Sequence, residues 1–150
     1  MYKRQENIFA IKKRDQKKSF ILLCESLDFL KEYADKIAKE DEILLNETWP
    51  GAVTFLVKYN NKLPEHLKTS SGKIAVRVSN HLPLKQLIEG FKGFMVSTSA
   101  NLSGEDVFDN PDAILDFFES DQIAYYDGEL GPNKRPSKII DLDTKSVIRG

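Results

Sequence analysis

Three basic residues close together in the chain are the first candidates for chemistry in this 150-residue sequence. Lys12, Arg14 and Lys18 lie between an expected helix and a short apolar segment. An arginine fork and lysine point charges can converge on phosphate oxygens, so the spacing is compatible with a phosphate clamp. Cations also complement the dipole at the C-terminus of a helix, so a solvated helix end accounts equally well for the same residues.

The second candidate is a polar loop over residues 97–104, which reads Ser-Thr-Ser-Ala-Asn-Leu-Ser-Gly. Small hydroxyl side chains supply hydrogen-bond donors with little bulk, and main-chain N–H groups in such loops can form an anion-binding nest. Ser, Asn and Gly also favour ordinary turns, so a plain turn is the simpler interpretation of the loop by itself. The sequence carries neither a Walker loop nor a G-x-G-x-x-G that opens a helix.

Three further candidates follow later in the chain. Arg77 interrupts the apolar run at residues 74–78, where strand alternation places it on the same face as Ala75. An arginine there either faces water or lies in a cleft as the partner of a carboxylate. Ser137 and Arg149, near the C-terminal end, are polar candidates that could equally be surface residues.

Histidine and cysteine chemistry is poorly supported. His66 and His81 are the only histidines and stand apart from each other, which makes a zinc site an unfavourable interpretation. A single cysteine, Cys24, excludes an internal disulfide framework and is compatible with a reducing cytosol. The sequence also lacks the G-x-S-x-G of a hydrolase nucleophile elbow.

Charge is segregated along the chain although the total is close to zero. The net charge is −1, with 41% hydrophobic and 30% charged residues, as expected of an ordinary soluble domain. Residues 1–20 carry seven basic and two acidic side chains, a net +5, whereas residues 105–121 carry seven acidic side chains and no basic one. The longest apolar run, residues 20–24, is too short to span a bilayer, and no signal peptide is recognised.

An alternation of helices and strands must position these residues. The patterns predict helices at residues 5–14, 27–38 (capped by Ser26), around 43–47 (stopped by Pro50-Gly51), 83–89 (ending near Gly90) and 111–118 (capped by Asn110). They predict strands at residues 20–24, 53–59, 74–78, 94–97, 123–126, 138–142 and 147–148. The sequence therefore predicts a mixed α/β domain whose polar residues gather at strand ends and loops.

Six short motifs keep one order along the whole chain. They are Ile8-x-x-Ile11-Lys12-x-Arg14-x-x-x-Lys18, Trp49-Pro50-Gly51-x-x-Thr54, Ala75-Val76-Arg77-Val78 with His81 and Pro83, Ser97-Thr98-Ser99-Ala100-Asn101-x-Ser103-Gly104, Pro136-Ser137-x-Ile139-Ile140-Asp141 and Val147-Ile148-Arg149. In this order and spacing the sequence resembles the YrdC/Sua5 proteins. The Trp-Pro-Gly and Ser-Thr-Ser-Ala-Asn motifs carry most of the resemblance.

The resemblance implies a fold and an activity. The fold would be one YrdC-like domain over residues 1–150, a twisted mixed sheet with flanking helices and a concave, basic face. The activity would be that of a cytoplasmic nucleotidyltransferase, L-threonylcarbamoyladenylate synthase, which joins L-threonine, bicarbonate and ATP with the help of Mg²⁺. Partner proteins of a transfer complex would then move the threonylcarbamoyl group to adenosine 37 of tRNAs.

The resemblance also implies roles for single residues. ATP would be bound by Lys12, Arg14, Lys18, Ser97, Ser99, Asn101 and Arg149, and threonine by Arg77 and Ser137. No side-chain nucleophile is needed, because the carbamate of threonine can attack the α-phosphate itself. The protein would supply positioning and charge stabilisation.

Two expectations qualify the resemblance. The family's N-terminal strand and its Pro-Thr-x-Thr/Ser-x-Tyr-Gly-Leu segment have no counterpart here, so the domain is expected to be truncated at its N-terminus and the activity of the short chain is open. The alternative is a catalytically impaired YrdC-like module that binds double-stranded RNA or tRNA. Residues 1–20 would then follow the phosphates, and binding would weaken steeply with salt.

Overall fold

Strands and helices alternate along the computed structural model, which describes residues 8–13, 19–102, 105–106, 108, 110–118, 124, 128 and 135–150. Its strands are β1 (Ile21–Cys24), β2 (Val53–Val57), β3 (Ile74–Val78), β4 (Met95–Ser97), β5 (Lys138–Asp141) and β6 (Val147–Arg149). Its helices are α1 (Leu27–Lys31), α2 (Lys39–Thr48), α3 (Leu82–Phe91) and α4 (Pro111–Phe118), with a 3₁₀ turn at Glu65–Leu67 and helical backbone at residues 8–11.

The six strands form one mixed sheet in the order β4-β1-β3-β2-β5-β6. The pairs β1–β3 and β2–β5 are parallel, whereas β1–β4, β2–β3 and β5–β6 are antiparallel. This topology confirms the predicted α/β class with a mixed sheet and flanking helices. No described helix has the length and apolar character that crossing a membrane requires.

The main hydrophobic core lies on one face of the sheet. Leu22, Phe55 and Val76 come from adjacent strands and are fully buried there. Leu30 of α1 and Leu45 of α2 belong to the same cluster and are also fully buried. Because burying one such side chain contributes about 1.5–3 kcal/mol, this face supplies most of the driving force for folding the sheet.

The opposite face of the sheet, here called the second face, carries polar residues among apolar ones. Leu23 of β1 is the register partner of Arg77 on β3, and Leu56 of β2 is the partner of Asp141 on β5. Partners in a sheet point to the same side, and alternation along β2 adds Thr54 to this face. The second face therefore holds the side chains that could bind a ligand.

The chain forms two compact units. One comprises residues 1–18 with residues 98–128, and the other comprises residues 19–97 with residues 129–150 and contains the whole sheet. In the first unit, Phe108 packs against Phe117 and Phe118 of α4. The arrangement of residues 1–150 as a single domain stays a prediction.

The helix predicted over residues 27–38 is wrong in its length. Ser26 does cap α1, because its hydroxyl accepts from the backbone N–H of Phe29 at 3.1 Å. However, α1 ends at Lys31, and Ala34 instead forms an isolated antiparallel bridge with Tyr59. Pairing with the chain after β2 replaces the helical hydrogen bonds that the apolar spacing predicted.

Smaller corrections concern the ends of elements. The predicted strand over residues 53–59 stops at Val57, the predicted helix over 83–89 continues through Gly90 to Phe91, and the strand predicted over 94–97 begins at Met95. The helix at 111–118 is confirmed, with the side chain of Asn110 accepting from the N–H of Ala113 at 2.8 Å. The strand predicted over residues 123–126 lies outside the described residues except for residue 124.

A partly buried ion cluster ties the end of β5 to the start of β3. The Lys73 ammonium donates to both carboxylate oxygens of Asp141, at 2.7 and 2.8 Å, and lies 2.6 Å from Asp143. Burial opposes ionisation of Asp141, but Lys73 and the backbone N–H groups of Asp143 and Thr144 outweigh it and hold its pKa below the usual value. The charged carboxylate is thus a specific part of the folded state.

Acid should therefore weaken the fold through Asp141. A carboxyl whose pKa is lower in the folded state than the usual 3.8 stabilises the fold above that value, and this contribution is lost as the pH falls through the folded pKa. Urea unfolding between pH 6 and pH 2 should show this loss, with most of it below pH 3.8. Asp141→Asn should cost roughly 1–3 kcal/mol at pH 6 and flatten the acid dependence. Asp28→Asn, in an exposed pair with Lys31, is the control and should stay within about 0.5 kcal/mol.

Candidate functional site

In the first unit, Lys12 anchors the polar loop. Its side chain is almost fully buried, and its ammonium donates to the backbone oxygens of Ser99 and Asn101 and to the Asn101 side-chain oxygen at 3.3 Å. An ammonium has three N–H donors, and these three loop oxygens can accept one hydrogen bond from each of them. Lys12 therefore supports the loop in this structure, and its direct contact with a phosphate stays a prediction.

The Asn101 side chain holds the loop together from within. Its oxygen accepts from the Ser99 hydroxyl at 2.6 Å, and its amide donates to the backbone oxygen of Glu105 at 2.6 Å. Ser99 is exposed and Asn101 is half-buried. The loop is therefore an organised turn with small polar side chains at its surface. Such side chains leave room for a phosphate or a nucleoside.

In the second unit, the Trp-Pro-Gly turn positions Arg77. The indole N–H of Trp49 donates to the backbone oxygen of Val53 at 2.7 Å, and the N–H of Gly51 donates to Val78 at 2.9 Å. The backbone oxygen of Gly51 then accepts from Nε of Arg77 at 2.8 Å. The turn therefore fixes the arginine by its Nε, and no hydrogen bond from the two outer nitrogens of the fork is formed within the described part of the chain.

The electrostatics of Arg77 favour an anionic ligand. The side chain is half-buried, and burial lowers the pKa of Arg77 without removing its charge. No carboxylate among the described residues pairs with it. A partly desolvated guanidinium without a counter-charge is an unfavourable arrangement unless a ligand supplies that charge.

Ser137 and Arg149 lie side by side on the second face. The Arg149 guanidinium donates to the backbone oxygen of Ser137 at 2.8 and 3.1 Å and to its hydroxyl oxygen at 3.2 Å. The Ser137 hydroxyl also lies 2.9 Å from the hydroxyl of Thr54. Arg149 thus holds Ser137 from one side and Thr54 holds it from the other.

Thr54 also brings Ser137 close to Arg77. The register between β2 and β3 ends with Phe55 opposite Val76, so Thr54 and Arg77 each lie one residue beyond that pair. Alternation along each strand places both side chains on the second face. The two residues predicted to bind threonine therefore lie on either side of one buried threonine.

The predicted site residues fall into groups. Lys12, Ser99 and Asn101 meet in the first unit, and Ser137 meets Arg149 in the second. Ser97 lies on β4, partly exposed, with β1 between its strand and the strand of Arg77. Arg14 and Lys18, which are predicted to bind the phosphates of ATP, lie outside the described residues.

Sequence reasoning missed two contributors. Thr54 falls in a predicted strand and in the Trp-Pro-Gly-x-x-Thr motif but has no predicted role in the site, although it is fully buried and hydrogen-bonded to Ser137. The backbone oxygen of Gly51 was not considered, because no side chain marks it. The signal for both was the Trp-Pro-Gly-x-x-Thr motif, which contains both residues.

Gly51→Ala should disturb the turn that holds Arg77. A Cβ on Gly51 would lie 2.5 Å from the backbone oxygen of Thr48, so the turn must shift, at a cost of about 1–3 kcal/mol. Thermal unfolding should report this loss. Gly90→Ala in α3 is the matched control, because its Cβ would meet nothing within 4 Å, and a helical alanine is slightly favourable. Equal melting temperatures for the two variants would contradict the prediction.

The single cysteine is not a ready nucleophile, and the described residues form no metal cluster. Burial raises the pKa of the Cys24 thiol to about 12, so it stays protonated near neutral pH. No group of three or more His, Cys, Asp or Glu side chains in the described part of the chain could hold a metal ion. The arrangement instead offers donors and positive charge, which suits reactions between anionic substrates.

Comparison with known proteins gives matches along nearly the full chain. The family model of the Sua5/YciO/YrdC proteins, described as telomere recombination, matches residues 2–150. A relative from Pseudoalteromonas translucida, named threonylcarbamoyl-AMP synthase, is 38% identical over 97% of this chain and 79% of its own. P. abyssi Sua5, solved with L-threonine, matches with a TM-score of 0.83 and 26% identity over 93% of this chain and 41% of its own. E. coli YciO matches with a TM-score of 0.81 and 29% identity over 97% and 71%.

Proposed function

Because this chain belongs to the Sua5/YciO/YrdC family, we propose that it makes threonylcarbamoyl-AMP from L-threonine, bicarbonate and ATP. Relatives of similar sequence carry the name of that synthase. The proposed enzyme is a nucleotidyltransferase, since it transfers the adenylyl group of ATP to an oxygen of threonylcarbamate. The proposal extends to this 150-residue chain as it stands.

One observation carries the proposal: a half-buried Arg77 has no carboxylate partner in the described residues and shares the second face with Thr54 of the neighbouring strand, which is hydrogen-bonded to Ser137. A guanidinium fork matches the two oxygens of an amino-acid carboxylate. The proposed ligand of Arg77 and Ser137 is threonine, in keeping with the threonine bound to the similar P. abyssi Sua5.

ATP would bind through the polar loop and the basic segment. Ser99 and Asn101 present small polar groups on a loop that Lys12 braces. Arg14 and Lys18 are proposed to bind the phosphates, and Ser97 and Arg149 to complete the nucleotide site. Arg149 is hydrogen-bonded to Ser137 in this structure, so its proposed contact with ATP would be made from that position.

The proposed reaction needs positioning rather than a nucleophilic side chain. Bicarbonate and the amino group of threonine form a carbamate with loss of water. A carbamate oxygen then attacks the α-phosphorus of ATP, the bond from that phosphorus to the bridging oxygen breaks, and pyrophosphate leaves. The protein would hold both anions and stabilise the charge that develops on the phosphoryl oxygens. Mg²⁺ would accompany the phosphates of ATP as part of the substrate.

Further parts of the proposal concern the product and the cell. The mixed anhydride would be consumed by a transfer to adenosine 37 of tRNA, with the help of partner proteins, in the cytoplasm. The runner-up, an impaired module that binds double-stranded RNA or tRNA, has less support. It relies on residues 1–20 as a phosphate track, and Lys12 in that segment is buried against the polar loop.

Pyrophosphate release by the purified chain tests the proposal. The release should require ATP, threonine and bicarbonate together, and mass spectrometry should detect threonylcarbamoyl-AMP. Omitting any one of the three should stop it, because no adenylyl acceptor forms without both threonine and bicarbonate. Salt-sensitive binding of double-stranded RNA without any pyrophosphate release would support the runner-up instead.

A further inference from the structure

The hydroxyl group of Thr54 is buried in the middle of the sheet. The residue has no exposed surface, and its strand β2 is flanked on both sides by β3 and β5. In the described part of the chain its hydroxyl has one hydrogen-bond partner, the Ser137 hydroxyl at 2.9 Å. A buried hydroxyl that fails to donate costs about 1–3 kcal/mol, so the direction of this bond matters.

The neighbouring groups determine that direction. A guanidinium only donates, so Ser137 Oγ accepts from Arg149 at 3.2 Å. If Ser137 also donated to Thr54, the Thr54 proton would have no acceptor among the described residues. With Thr54 donating to Ser137, the fully buried hydroxyl is satisfied, and the proton without an acceptor is that of Ser137, the less buried of the two residues.

The hydroxyl proton of Ser137 then has no acceptor among the described residues. Its oxygen accepts two hydrogen bonds, one from Thr54 and one from a charged guanidinium, which occupies both lone pairs. Its own O–H must point elsewhere, and accepting two bonds polarises it as a donor. An anionic oxygen is the acceptor that such a group favours most.

We infer that Thr54 is a positioning residue that orients the Ser137 O–H toward the carboxylate of the bound substrate. The inference rests on the proposed function, because it takes threonine as the ligand. Thr54 and Arg77 each lie one residue beyond the Phe55–Val76 pair and share the second face, so the guanidinium and the Ser137 O–H can approach one carboxylate from two directions. Neither donor would move far on binding, since Gly51 fixes one and Thr54 with Arg149 fixes the other.

Calorimetry on the 150-residue chain tests the role with L-threonine and ATP as separate probes. Thr54→Val keeps the shape of the side chain and removes the donor, so it should weaken threonine binding about tenfold and leave ATP binding within twofold. Thr54→Ser keeps the donor and should restore threonine binding. Thr54→Cys, with a weak donor, should fall between them and serves if the valine variant fails to fold.

A double-mutant cycle separates positioning from a general structural effect. If Thr54 acts through Ser137, Thr54→Val should cost nothing further in threonine affinity once Ser137→Ala is present. Additive losses would overturn the inference, as would a Thr54→Val variant that binds threonine as the wild type does. A wild type that binds no threonine and releases no pyrophosphate would overturn the proposed function and the ligand assigned here together.

Discussion

Arg77→Lys is expected to raise the KM for threonine by at least tenfold while the KM for ATP changes less than twofold. Lysine keeps the charge but replaces a planar fork by a point charge. It cannot donate to the Gly51 oxygen from Nε and present two further donors to a carboxylate from a fixed position. The expected loss corresponds to one charge-assisted hydrogen bond, about 1.5–3 kcal/mol.

The contrast between the two substrates is the informative part. Arg77 has no described carboxylate partner, so the fold loses only its bond to the Gly51 oxygen and the melting temperature should fall by no more than a few degrees. Steady-state pyrophosphate release, with threonine and ATP varied in turn, measures both constants. Arg135→Lys, at an exposed position, is the matched control and should change neither constant. Equal effects of Arg77→Lys on both substrates would remove Arg77 from the threonine site.

The sheet could be predicted from the sequence because its strands are short apolar runs between polar segments. The run at residues 74–78 coincides with β3, and the run at 20–24 differs from β1 by one residue. The caps were also local signals, since Ser26 and Asn110 each accept from a backbone N–H three residues ahead. These strands and caps depend on near neighbours in the sequence and were predicted correctly.

The elements that were misjudged depend on distant contacts. Residues 33–38 have helical spacing, yet the N–H of Asn60 donates to Tyr33 at 2.9 Å and the N–H of Asp35 donates to Lys58 at 3.0 Å. These bonds come from a segment that follows β2. Tertiary pairing of this kind overrides helix propensity, and a single sequence does not reveal it.

The site, like the fold, was predictable where the signal is local and not where it depends on distant contacts. Sequence position picked out Ser137 and Arg149 and the resemblance assigned them to different substrates, but neither indicated that they are hydrogen-bonded to each other. Thr54 is β-branched, so its type alone indicated a strand. Its hydroxyl partner lies 83 residues away, a contact that only the parallel pairing of β2 with β5 creates.

Lys12 is the clearest case in which a residue's type suggested one role and its surroundings support another. A lysine in a segment of net charge +5 suggests a solvated cation, whereas only 5% of Lys12 is exposed. Its ammonium bridges the backbone oxygens of Ser99 and Asn101. Two carbonyl oxygens that converge without a cation would repel each other, so the geometry of the loop depends on this charge.

Lys12→Met is therefore expected to weaken ATP binding by at least tenfold, about 1.4 kcal/mol, through loss of the loop geometry. Lys13→Met is the matched control, because it removes the same charge from the adjacent, exposed position. The control should stay within twofold, since an exposed charge is screened by salt. Calorimetric titration of ATP into both variants measures the two dissociation constants. Similar losses of ATP affinity in both variants would mean that only net charge affects binding. An unchanged ATP affinity in Lys12→Met would contradict a role of the loop in nucleotide binding.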